Sequence, residues 1–254
     1  MKTAPLSPIR TALCLLGLAV LSPLFSAFAE ELSIGAVGAV TFSPYKSYDT
    51  VVMPLPFVTY KGDHFFIKGT SLGAYLFKNE NHELSVGASY LGLEFKPRRT
   101  DEQPLKQLDK RRSTMLADVS YSYVSKFGLI RAQLAQDVLG NSNGMLGNLS
   151  LHVPWITDCF VIMPGVGVQW ASSNHNEYYY GISGKESARS GLKRYDPGHT
   201  FAPYLTLEAK YSLTERWDLV AKGKVEYVPG KIQDSPMVGK NFAGSVMAGV
   251  QFNF

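Results

Sequence analysis

Apolar and polar residues alternate one by one along most of this chain, the period of strands whose two faces meet different surroundings. The last eleven residues show it most cleanly: Val246, Ala248, Val250, Phe252 and Phe254 alternate with Met247, Gly249, Gln251 and Asn253. Similar runs fall at about 32–42, 50–60, 64–78, 83–96, 113–124, 127–137, 145–154, 159–171, 201–212, 215–228 and 243–254. Those eleven runs are an odd count, whereas a barrel with both ends on one side of a membrane needs an even one. The run 64–78 is the longest and carries Gly69-Thr70-Ser71 at its centre, so a tight hairpin there predicts twelve strands, with ten as the other even solution.

Splitting at Gly69 also sorts the connections. Those near Gly62, Asn81, Ser125, Asp158 and Thr214 become short turns on one side, and those around 43–49, 97–112, 138–144, 172–200 and 229–242 become mostly longer loops on the other. Short periplasmic turns and long external loops are the asymmetry of outer-membrane barrels. The two strands before the last run also separate their faces. Trp217, Leu219, Ala221, Val225 and Tyr227 alternate with Asp218, Lys222, Lys224 and Glu226, and Leu205, Leu207 and Ala209 alternate with Glu208 and Lys210. A charge facing lipid near mid-membrane costs about 2–4 kcal/mol, so Glu208, Lys210, Lys222, Lys224 and Glu226 are predicted to face the lumen. Tyr211 with Trp217, and Tyr123 with Phe127, flank two short turns and are expected to form an aromatic girdle. The expected fold is therefore all-β: a single antiparallel up-and-down transmembrane barrel. A soluble β-sandwich is the rival architecture that also alternates.

The N-terminus agrees with that destination. Lys2 and Arg10 precede an apolar stretch, and Ala27-Phe28-Ala29 offers a small-x-small cleavage site, so residues 1–29 are expected to be a signal peptide and 30–254 the barrel. Cleavage would remove Cys14 and leave Cys159 alone, so no internal disulfide is expected. It would also lower the net charge from +4 to +2, which gives no reason to expect a nucleic-acid partner.

The most unusual stretch is 174–195, in the longest external loop, where Asn176, Glu177 and three tyrosines, Tyr178, Tyr179 and Tyr180, are followed by Lys185, Glu186, Arg189, Lys193, Arg194 and Tyr195. This stretch resembles the MipA/OmpV outer-membrane family. Pro44-Tyr45, Tyr48-Asp49, Asn141-Ser142-Asn143-Gly144, Asp234-Ser235-Pro236-Met237-Val238, Pro203-Tyr204-Leu205 and the terminal strand extend the resemblance over essentially the whole mature chain. The resemblance implies a non-enzymatic barrel without a cofactor. It also implies, from one well-known member, a scaffold linking a murein lytic transglycosylase to a murein synthase; other members resemble surface antigens or adhesins.

Two readings of the loop stand side by side. Lys185, Arg189, Lys193 and Arg194 can pair with lipopolysaccharide phosphates, or the loop can fold inward with Glu177 and Glu186 satisfying those cations. The lumen charges likewise fit either a small-solute channel or an ion-pair lattice that closes it. His175 and His199 lie near Ser183, Ser187 and Ser190, but residue types alone do not make a triad, and neither a nucleophile-elbow nor a zinc-binding signature is present.

Overall fold

The computed structural model describes residues 32–254; the expected leader lies outside the described residues. The wall begins with β1 (Leu32–Phe42), β2 (Val51–Lys61), β3 (Phe65–Lys68), β4 (Ser71–Lys78) and β5 (His82–Leu91). It continues through β6 (Thr114–Ser125), β7 (Gly128–Asp137), β8 (Met145–His152), β9 (Trp155–Ile156) and β10 (Phe160–Ala171), and ends with β11 (Thr200–Ser212), β12 (Trp217–Tyr227) and β13 (Phe242–Asn253). Every pairing is antiparallel and between chain neighbours apart from β8 with β10, and β13 returns to β1, with Ser33 opposite Asn253 and Phe42 opposite Gly244. That closure leaves a single barrel and removes the two separate sheets a sandwich requires.

The thirteen segments make twelve crossings, because β8 and β9 are two parts of one strand. His152 pairs with Gly165 and Trp155 with Ile162, a continuous register on β10 broken only around Pro154. A proline removes a ladder donor, which accounts for the break. The expected hairpin is present: Lys68 pairs with Ser71, and Gly69 adopts φ 61° in the turn between them. A side chain at Gly69 would also press against the Phe57 ring, 3.3 Å away.

Exposure follows the alternation. Val119, Leu134, Leu149, Val166, Leu205, Leu207 and Val246 are each about half exposed on the outside, as a lipid-facing surface must be. Trp217 packs edge-on against Phe252, and Phe252 against Phe254, at the short-turn end. Tyr211 and Phe127 are exposed at the same end, where a girdle meets the headgroups. The opposite end carries the long loops with short helices: α1 (Gln103–Lys106), α2 (Ser173–Tyr180), α3 (Gly184–Ser190) and α4 (Gly230–Gln233).

Candidate functional site: a loop cap and the lumen beneath it

The main apolar core of the protein lies among the long loops, outside the strands. Tyr45, Tyr48, Phe95, Leu105, Leu108, Ile182, Val228, Ile232, Met237 and Val238 form one buried cluster drawn from four connections. Tyr45 is fully buried, its ring edge-on to Phe95 at 4.9 Å and its hydroxyl donating to the Tyr179 carbonyl at 3.0 Å. Backbone bridges join different loops at Tyr45 with Val238 and Tyr48 with Thr100, and close single loops at Phe95 with Arg111 and Ile182 with Tyr195. These loops thus fold as a cap on the barrel's outer end.

A buried ion pair sits in this cap. Arg111 Nη2 donates to Glu186 Oε1 at 2.8 Å and to the Gly181 carbonyl at 3.1 Å. Glu186 is 2% exposed and accepts from the Asp109 amide and from both the amide and the hydroxyl of Ser183, which closes a capping box at the start of α3. Burial raises the Glu186 pKa, but the Ser183 and Asp109 amides and the Arg111 charge outweigh it, and the net shift is downward. His175 in α2 is driven the other way: burial lowers its pKa to about 4, with Asp137 opposing weakly, so the ring is neutral at physiological pH. Its backbone passes so close to Gly144 that a Cβ there would lie 2.7 Å from the His175 nitrogen. Asp137 anchors the adjoining turn, accepting from Thr114 Oγ1 and from the amides of Leu139, Ser142 and Asn143.

The predicted loop residues divide between the inside and the surface of this cap. Asn176 donates to the Gly198 carbonyl and Thr200, the Tyr178 hydroxyl accepts from the Arg112 amide, and the Tyr179 hydroxyl donates to the Arg112 carbonyl. Tyr180 packs against the core, its carbonyl bonded by Ser235 Oγ, and Tyr195 donates to the Lys231 carbonyl at 2.8 Å. Glu177, Lys185, Lys193 and Arg194 are exposed, while Arg189 reaches the Gln107 carbonyl and pairs with Asp109 at 2.6 Å. The pairing of Glu186 with the loop's own cations is replaced: Glu186 binds Arg111 of a neighbouring loop, and Arg189 binds Asp109 there. Long-range packing chose these partners, and local spacing carries no trace of it. Among the described residues no hydrogen bond joins the His175 or His199 ring to Ser183, Ser187 or Ser190; Ser183 and Ser190 serve α3 itself.

Beneath the cap lies a cavity of about 2340 Å³ that reaches the short-turn end at Leu32, Ser33, Arg216 and Phe254 and includes no residue of α2, α3 or α4. Four of the five predicted lumen charges, Glu208, Lys210, Lys222 and Lys224, line it. Lys222 pairs with Glu208 at 2.5 Å and Lys224 with Glu226 at 2.7 Å; Lys210 lies 3.7 Å from buried Asp218. Sequence reading did not single out Lys68, Arg131, Asp118 or His152, which the opposite wall adds. His152 Nδ1 and Thr206 Oγ1 are buried without a hydrogen-bond partner, and both face the space beside Gly165. In all, eight lysine or arginine side chains line the cavity against four aspartate or glutamate side chains, so its inner surface is net positive.

A closed antiparallel wall with an apolar outside, a charged inside, aromatic ends and long loops on one rim defines an outer-membrane β-barrel. Within that class the chain belongs to the MipA family: the profile described as MltA-interacting protein MipA matches residues 34–254. The MltA-interacting protein of Escherichia coli (strain K12) is 38% identical over 246 residues, 96% of this chain and 99% of that protein. The putative outer membrane protein YiaT of the same strain is 40% identical over 229 residues, covering 90% and 93%. Outer membrane protein OmpV of Vibrio cholerae is 24% identical, covering 77% and 76%. Among solved structures, the NanC porin aligns with TM-score 0.49 and 10% identity, over 88% of this chain and 100% of that one.

Most of the loop segments that carry the family resemblance meet in the cap, while 203–205 and the terminal strand belong to the wall. Tyr45, Tyr48, Met237 and Val238 are in its core, Ser142 and Asn143 hold Asp137, and 185–192 covers α3 beyond its first residue.

Proposed function

We propose that this barrel is a scaffold of the outer membrane that docks a murein lytic transglycosylase on its periplasmic end and, through it, a murein synthase. The 38% identical relative named MltA-interacting protein supports the choice of hydrolase partner. The observation that carries the reading is the asymmetry of the two ends: a packed cap outside and a lumen opening among Leu32, Ser33, Arg216 and Phe254 inside. The short turns alone are a poor docking surface, and the rim of this opening adds to the area a partner can bury. A passive channel needs a continuous aqueous path, and a cap packed across the outer end speaks against one. The test is affinity capture of envelope proteins on the detergent-folded barrel, with an unrelated barrel of similar size as control. Selective recovery of a lytic transglycosylase is the expected result. Recovery that is equal on both barrels would remove the scaffold reading, and steady ion conductance would favour a pore.

A further inference from the structure

The wall is incomplete at one place. β2 is paired with β1 along its length, from Val51 opposite Thr41 to Tyr60 opposite Leu32, but β3 meets it only at Thr59, Tyr60 and Lys61. The hairpin tip then bonds Val58, whose carbonyl accepts from the Gly69 amide at 2.9 Å. Beyond that point no strand among the described residues lies beside the edge of β2 from Val51 to Phe57. On the far side of the gap the hairpin runs up to the end of β5, where the Tyr90 amide donates to the Thr70 carbonyl. Above, the Tyr48 to Thr100 bridge joins the first loop to the third and forms a lintel.

Backbone groups of alternate residues point to the same side of a strand, so Val52, Pro54 and Pro56 turn their polar groups the way Val58 does, into the gap. Two of those three positions are proline, which confines itself to unpaired edges because it has no N–H to give. The sequence is thus fitted to an open edge here, and the prolines block the addition of a strand from another protein. The gap also connects inside with outside. Lumen-facing Met53, Leu55 and Phe57 line the same cavity as Leu72 and Tyr90, whose registers place them on the outer face. Carbonyls left bare in hydrocarbon are strongly unfavourable, so lumen water must reach this edge while lipid meets its outer side. Lys68, on the lumen face one residue before the hairpin tip, sits at the sill with its ammonium 4.8 Å from the Phe66 ring centre and in a long, partly exposed pair with Glu83 at 3.8 Å, which leaves it room to meet an anion.

We propose that this gap is a lateral window through which a single-chain anionic amphiphile of the outer leaflet enters the lumen, its chain lying across Val52, Met53 and Leu72 and its head group held by Lys68. The apolar β1 and β2 wall and the cationic excess of the lumen match the two ends of such a molecule. This function is independent of the scaffold reading. Two measurements test it on the full mature barrel in lipid nanodiscs, with heat-modifiable gel mobility as the check of folding. In the first, p-benzoylphenylalanine replaces Met53, Ser120 or Leu149. Lipid adducts are expected at Leu149, which faces the bilayer, and at Met53, but not at Ser120, which faces the lumen away from the window. Adducts at Leu149 without any at Met53 would overturn the window. In the second, nitroxide-labelled stearate and nitroxide-labelled phosphatidylcholine are compared by the motionally restricted fraction of their spectra. Stearate should be preferred roughly fivefold, the attraction of one lysine near a membrane surface, and Lys68→Glu should abolish the preference while Lys126→Glu, at a turn, leaves it. Equal restriction of the two lipids, or a preference indifferent to Lys68, would overturn the anionic occupant.

Discussion

The two ends of this barrel are held together by different physics. At the outer end, four loops bury aromatic and aliphatic side chains against one another and satisfy an ion pair with amides, so the cap has the organisation of a small globular core. At the periplasmic end the turns are short and the lumen between them holds half-exposed ion pairs such as Lys222 with Glu208. A barrel wall needs no core of its own, since its ladder satisfies the backbone; packing loops over one mouth does need a core, and the long loops supply it.

The sharpest break in that contrast is expected from Arg111→Ala. It strands Glu186 without its cation, and losing one partner of a buried pair costs about 3–5 kcal/mol. The cap should then open to protease between α2 and α3 while the strands stay protected, a pattern that amide hydrogen exchange reads directly. Acid is the next largest effect. His175 binds a proton in the unfolded cap below about pH 6.5 but resists it to about 4 in the folded one, so its contribution is present above 6.5 and is lost as pH falls through that window. The difference amounts to about 3 kcal/mol. Glu186, shifted downward from 4.5, loses its contribution in the same direction at still lower pH. Exchange protection of the cap should therefore fall between pH 6.5 and 4 before that of the wall.

Gly144→Ala should cost about 1–3 kcal/mol, the usual range for overpacking, because α2 must move off β8. The smallest effect belongs to the other end: Lys222→Ala should change stability by less than about 1 kcal/mol, as half-exposed ion pairs do, in a denaturant titration of the same protein.

Much of the wall was legible in the sequence because alternation, aromatic ends and parity are local or additive properties. The split at Gly69 needed only the parity rule and a turn signal, and the faces of β11 and β12 followed from their charges. The cap was not legible in the same way. Its loops were recognised by length, but α2 and α3 are short and polar, and the Arg111 to Glu186 pair joins residues 75 positions apart that no periodicity links. The window was missed although it had a signal: Pro54 and Pro56 two residues apart inside an alternating run mark an edge, and an edge in a closed barrel marks a gap.

On the scaffold reading the cap shuts the outer mouth over a lumen open to the periplasm. Conductance of the purified barrel in a planar bilayer tests it most directly. The wild-type protein should be nearly silent, with discrete openings appearing in Arg111→Ala; a steady open conductance of the wild-type barrel, unchanged by that substitution, would contradict it.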